Sequence, residues 1–114
     1  MKAILIILAV LISSSGYAEG EKNFIEKKWF RDSNTFVIIC KGWPKEGLAG
    51  ESKVASAKEA ALMNAQFTIK DLFNKPVDPV TNGTVEKYKI YYDYVTIQYI
   101  IKFVGLKKYY KGLK

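Results

Sequence analysis

A chain of 114 residues with a net charge of +7 has room for one domain and not for a pair of repeats. It contains no histidine, which removes the usual general base, the Ser–His and Cys–His hydrolytic arrangements and the commonest zinc ligand. Its single cysteine, Cys40, builds neither an intrachain disulfide nor a thiolate metal site.

Residues 1–18 read as a cleavable export signal. Lys2 supplies a short positive start, Ala3 to Ile12 an unbroken apolar run, and Ser13 to Ala18 a small-residue cleavage region with Gly16 and Ala18 at −3 and −1. The apolar run is about half of what a membrane span needs. Cleavage after Ala18 gives a periplasmic protein, and without a cysteine at that junction it is not lipidated. The remaining 114 − 18 = 96 residues keep 17 basic against 11 acidic side chains, a charge of +6. Outside the cytoplasm the polyanions within reach are lipid headgroups, lipopolysaccharide and cell-wall polymers rather than nucleic acid. Ordinary solubility charge is the plain alternative.

Residues 19–34 form an N-terminal arm that fits neither period, with Trp29 and Phe30 tucked against the domain edge as a short strand or turn. Asp32-Ser33-Asn34 is a turn signal. Thr35 to Lys41 is a β-branched and aromatic run expected to be a buried strand, which makes Cys40 a small core residue; an intermolecular disulfide is the sharper reading. The loop KGWPKEGLAGE follows. Gly42-x4-Gly47 is half of a phosphate-binding loop, but Leu48-Ala49 stands where its Lys-Ser/Thr belongs. Gly47-Leu48-Ala49-Gly50 has the GxxG form of an RNA clamp, which export argues against. Trp43 in this loop needs a partner surface, the protein's own or another's.

From Gly50 to Phe73 the spacing predicts one long helix. Val54, Ala57, Ala61, Ala65, Thr68 and Leu72 make its inner stripe, widened by Leu62, Ile69 and Phe73. Ser52, or Ser56 with Glu59, offers a cap, and Asn74-Lys75-Pro76 a stop. Asn82-Gly83 turns into a second β region with strands over 84–92 and 94–104 and a hairpin turn near Tyr91–Tyr94. Val95, Ile97, Tyr99, Ile101 and Phe103 face the helix; Thr96, Gln98, Ile100, Lys102 and Val104 form a half-apolar outer face. These outer residues, Thr96, Gln98, Ile100 and Val104, together with Trp43, are the candidate interface. The basic tail 106–114 holds the candidate anion-binding residues Lys107, Lys108, Tyr109, Tyr110 and Lys111. A solvated tail with its tyrosines folded back is the alternative.

No catalytic, cofactor or metal constellation emerges. Glu46 and Glu51 share a loop and Asp71 and Asp78 flank the helix stop, but nothing pairs them for glycoside chemistry. The expected architecture is α+β: a single domain over 35–105, with one long helix on a small antiparallel sheet in strand-helix-strand-strand order.

The order of a strand into Gly42-Trp43-Pro44-x-x-Gly47-Leu48, an alanine-rich helix (Ala55, Ala57, Ala60, Ala61, Ala65), Gly83-x-Val85 and two strands ending Gly105-Leu106-Lys107 resembles the bacterial envelope family of the twenty-kilodalton Helicobacter lipoprotein. That family includes FlgP-like proteins of flagellar disks. The resemblance spans residues 29–110 and implies the same strand-helix-strand-strand domain, export to the periplasm and homomeric assembly. The chain departs from it in lacking a lipobox cysteine. The expected function is therefore a non-enzymatic structural or interaction protein of the envelope without a cofactor. It would be self-assembling or joined to an envelope protein, in peripheral contact with the outer membrane, and flagellum-associated if the resemblance extends that far. A binding module for anionic envelope components is the alternative.

Overall fold

The apolar periods of the sequence divide between one long helix and four strands. A computed structural model describes residues 24–111; the expected signal segment, residues 19–23 of the expected arm and residues 112–114 of the tail lie outside it. The elements are β1 (Ile25–Asp32), β2 (Thr35–Gly42), α1 (Gly50–Leu72), β3 (Gly83–Ile90) and β4 (Val95–Lys102), followed by a 3-10 turn at Leu106–Tyr109. The sheet order is β1-β2-β4-β3, with every neighbouring pair antiparallel. The chain is α+β, as the sequence leads one to expect.

Three expectations about the elements are corrected. Residues 25–32 are not a loose arm but a full edge strand, so the sheet has four strands rather than three. The register of β1 on β2 shifts twice, between Ile25 and Lys27 and between Phe30 and Asp32. Such bulges break the two-residue alternation by which a strand is recognised. The strands of the second hairpin end earlier than expected, at Ile90 and Lys102, which leaves Val104 in a turn. Finally, α1 starts at Gly50, so Ser52 already lies in its first turn and Ala49 is the N-cap, with no side-chain cap. Ser56 Oγ instead accepts from the Lys45 N–H at 2.9 Å, holding the preceding loop to the helix.

The core forms where α1 meets the centre of the sheet. Ala57, Ala61, Ala65, Thr68 and Ile69 are the buried residues of the helix. Phe36, Ile38 and Cys40 of β2 and Ile97, Tyr99 and Ile101 of β4 lie beneath them. The stripe is mostly alanine because the backbones run close. A Cβ built on Gly42 would fall within the helix backbone at Ala57 and Ala61, 2.6 Å from Ala61 Cα. Polar groups in this seam are satisfied. Thr68 Oγ1 donates to the Asn64 carbonyl at 2.8 Å, and Asn64 Nδ2 donates to the Lys41 carbonyl at 2.9 Å. Tyr99, buried at the centre of β4, donates to the Pro79 carbonyl at 2.7 Å and accepts from Gln66 Nε2 at 3.1 Å. At one end of the core Phe30, Phe36, Phe73 and Tyr110 form an aromatic cluster with edge-to-face contacts. It ties β1, β2, the helix end and the C-terminal segment together.

Because the helix–strand contact leaves no space for a side chain, Gly42→Ala is expected to cost about 3 kcal/mol. Ala61→Val should act in the same direction. Urea unfolding followed by circular dichroism checks both; an unchanged midpoint for Gly42→Ala would show that the helix is not seated on β2 as described.

Candidate binding surfaces

Alternation sends Thr35, Val37, Ile39 and Lys41 of β2, and Thr96, Gln98, Ile100 and Lys102 of β4, to the face opposite the helix. This outer face is less open than expected. Thr96 and Ile100 are buried, as is Val37 between the central strands, while Gln98 is half-buried. A polar strap crosses here. Arg31 on one edge strand donates twice to Glu86 on the other, at 2.9 and 2.8 Å, and Gln98 donates to the same carboxylate at 2.6 Å. Since β2 and β4 lie between those edges, the pair spans both. Glu86 follows inward Val85 and so points to this face by alternation; the register shift of β3 between Val85 and Lys87 then returns Tyr88 to the helix side beside Val85. The candidate interface is corrected accordingly. Thr96 and Ile100 offer no free surface, and exposed Trp43 and Val104 sit at opposite ends of β2 and β4, where Gly42 pairs with Val95 and Thr35 with Lys102.

The basic tail is corrected in part. Tyr110 is built into the aromatic cluster with Phe30 at 5.1 Å, and Tyr109 packs edge-on against Phe103 at 5.6 Å. Lys107 lies over the Phe30 ring. The tyrosines are folded back as structural residues; Lys107, Lys108 and Lys111 remain exposed.

Two other surfaces gather cations and apolar groups. The first is the end of the sheet where β2 leaves for the helix and β3 turns into β4. Trp43 packs beside Tyr94 at 6.1 Å, and Tyr94 stacks on Tyr91 at 4.7 Å. Four lysines lie over rings at this end and along the adjoining flank: Lys41 over Tyr94, Lys53 over Tyr92, Lys58 over Tyr88 and Lys89 over Tyr91, at 4.8–5.4 Å. Tyr92, at the hairpin tip beside Asp93, is 88% exposed. The amphipathic spacing of the hairpin explains the grouping: ring bodies pack while hydroxyls and ammonium heads stay in water.

The second surface is an open groove of about 920 Å³ between the C-terminal half of α1 and the segment 73–80. Met63, Phe67 and Val80 line it, with Lys70, Lys75 and Lys111 also in its wall. Asp78 lies there too, but its carboxylate accepts from the Val80 and Thr81 N–H groups at 2.8 and 3.2 Å. Those backbone bonds hold its pKa below the ordinary value. Of the first surface the sequence marks Trp43 alone as a candidate, and of the groove Lys111 alone. The signals present are an apolar pair one helical turn apart, Met63 and Phe67, with Lys70 beyond them, and the interleaved Lys87-Tyr88-Lys89 and Tyr91-Tyr92 of the hairpin.

No protein-family model, curated protein or solved structure matches the chain.

The Arg31 hydrogen bonds, reinforced by Gln98, hold the Glu86 pKa at about 2 against an ordinary 4.5. A depressed carboxylate stabilises the fold above its unfolded pKa and loses that contribution as pH falls through the folded one. The melting temperature should therefore decline between pH 4.5 and 2, and Glu86→Gln should flatten that part of the profile. Burial pushes the Cys40 thiol up to about 12, so it stays protonated. Ellman's reagent should leave the native protein unmodified and react with one equivalent in denaturant; rapid native reaction would mean that Cys40 is within a partner's reach.

Proposed function

We propose that this protein is a non-enzymatic, exported binding module of the bacterial envelope that docks peripherally on an anionic lipid surface. The observation that carries the reading is the sheet end where Trp43, Tyr91, Tyr92 and Tyr94 stand among Lys41, Lys53, Lys58 and Lys89. Aromatic rings with a polar tip and lysines on flexible stems suit the headgroup layer, where one part of each side chain is apolar and the other wet. The signal-like residues 1–18 and the resemblance to the envelope lipoprotein family support export. Among the described residues no helix is long and apolar enough to cross a membrane, so contact through this end would be peripheral.

Homomeric assembly, the other reading, has less to stand on. Its expected face is occupied by the Arg31–Glu86 strap, and both sheet edges carry bulges and lysines (Lys27 and Lys28 on β1, Lys87 and Lys89 on β3). Such devices oppose pairing of edge strands between molecules.

Co-sedimentation with phosphatidylglycerol-rich vesicles tests the proposal. Binding is expected at low salt, lost as salt rises and absent on neutral phosphatidylcholine vesicles. Lys53→Glu and Lys89→Glu should each weaken it about fivefold or more, from about 1 kcal/mol per surface cation. Equal binding to neutral vesicles, or none to anionic ones at low salt, would overturn the reading, and light scattering on the same samples reads the homo-oligomeric alternative.

A further inference from the structure

The groove beside the C-terminal half of α1 has a composition that neither the core nor surface docking requires. Met63, Phe67 and Val80 are 53, 63 and 62% exposed and converge on one concavity. Exposed large apolar side chains that share a single concave site are a binding signature, whereas scattered ones are not. The floor includes Phe73 and Val77, both buried. The cations in the wall come from three parts of the chain: Lys70 from the last turn of the helix, Lys75 from the loop and Lys111 from the C-terminal segment. Arg31–Glu86 is the ion pair formed among the described residues, so none of these three lysines has a carboxylate partner there. The one acid in the lining, Asp78, is turned back onto its own backbone amides. Three lysines against one acid leave 3 − 1 = +2 around an apolar trough.

We propose that this groove binds a long-chain fatty acid, with the alkyl chain along Met63, Phe67 and Val80 and the carboxylate among Lys70, Lys75 and Lys111. Charge complementarity selects the occupant. A neutral apolar peptide would leave three ammonium groups without a counter-charge, while a carboxylate meets them at the edge of the apolar strip. The volume of about 920 Å³ lies within the range of small-molecule sites, and the groove is open enough to admit a chain without the fold opening. The site stands apart from the lysine–tyrosine end: Lys53 and Lys58 belong to the first half of a 23-residue helix and Lys70 to its last turn. It does not rest on lipid-surface docking, and vesicle binding can fail while it holds.

Isothermal titration calorimetry of the purified protein with decanoate, dodecanoate and tetradecanoate, each below its micelle concentration, tests the proposal. Saturable one-to-one binding is expected, tightening with chain length by up to about fourfold per added methylene. Dodecanol should bind at least tenfold more weakly than dodecanoate. Phe67→Ser should abolish binding, and Lys70→Glu with Lys75→Glu should reduce the preference for the acid over the alcohol; both sites are exposed, and unchanged circular dichroism and melting temperature would confirm that the fold survives. Absence of dodecanoate binding, indifference to chain length, or full binding by Phe67→Ser would each overturn the assignment. So would a concentration-dependent dimer that Phe67→Ser dissolves in the absence of fatty acid, because the groove would then be an interface between two copies.

Discussion

At the end of β2 the backbone of Gly42 lies directly against the middle of α1, at Ala57 and Ala61. A 23-residue helix resting on strands normally stands off by the length of its side chains; here alanines on one partner and glycine on the other remove that spacer. Dispersion contacts then run backbone to backbone over the crossing, with no rotamer entropy to lose from alanine or glycine. The larger residues take their place at either side. Ile69, Phe73 and Leu106 carry the buried core on from the alanine seam to the C-terminal end of the helix. The rotational setting of the helix follows from that one seam. With Ala57, Ala61 and Ala65 inward, the remaining faces are fixed by 3.6 residues per turn.

The opposite side of the sheet meets a different constraint. A single helix covers only one face, and the other would leave Val37 and Ile100 in water. In place of a second layer the protein draws long polar side chains across that face: Arg31 from β1 and Glu86 from β3, with Gln98 between them. The ion pair itself contributes little, since both partners are partly exposed and screened by solvent. Its value is geometric. The guanidinium is held by both oxygens of one carboxylate, so the two edge strands are tied across the central pair. The bulge in β3 does a separate job: it brings Tyr88 back to the helix side beside Val85, while Glu86 already faces outward by alternation.

Much of the fold was legible because its strongest signals are local. The alanine spacing located α1 to within a residue of its observed end, and the continuous apolar run TFVIIC located β2. The inward set Ile97, Tyr99 and Ile101 followed from alternation alone. What failed to show did so for identifiable reasons. The bulges in β1 and β3 displace the two-residue period, hiding an entire strand in one case and the shared facing of Val85 and Tyr88 in the other. Alternation makes Thr96, Gln98, Ile100 and Val104 a semi-apolar face, but the pair that crosses it joins residues 55 positions apart in the chain. For Tyr109 and Tyr110 the sequence leaves anion binding and folding back side by side, because nothing nearby in the chain marks Phe30, Phe73 and Phe103 as their partners.

The alanine stripe accounts for only one side of the helix. Relative to Ala65, positions 63, 67 and 70 fall some 140–200° around the helix axis, so Met63, Phe67 and Lys70 belong to the side the core does not use. Residues there are under no packing demand, and charged or small ones would serve stability as well. Large apolar side chains in such a place therefore call for a contact beyond the core. The chain itself supplies half of it, since the segment after Phe73 folds back with Val77 buried and Val80 facing the same trough. That segment is held by the Tyr99–Pro79 and Asp78 hydrogen bonds, which fix the wall independently of any occupant. A wall fixed in advance spares a ligand the entropy of ordering it, so the trough is preorganised on both sides for a slender apolar chain.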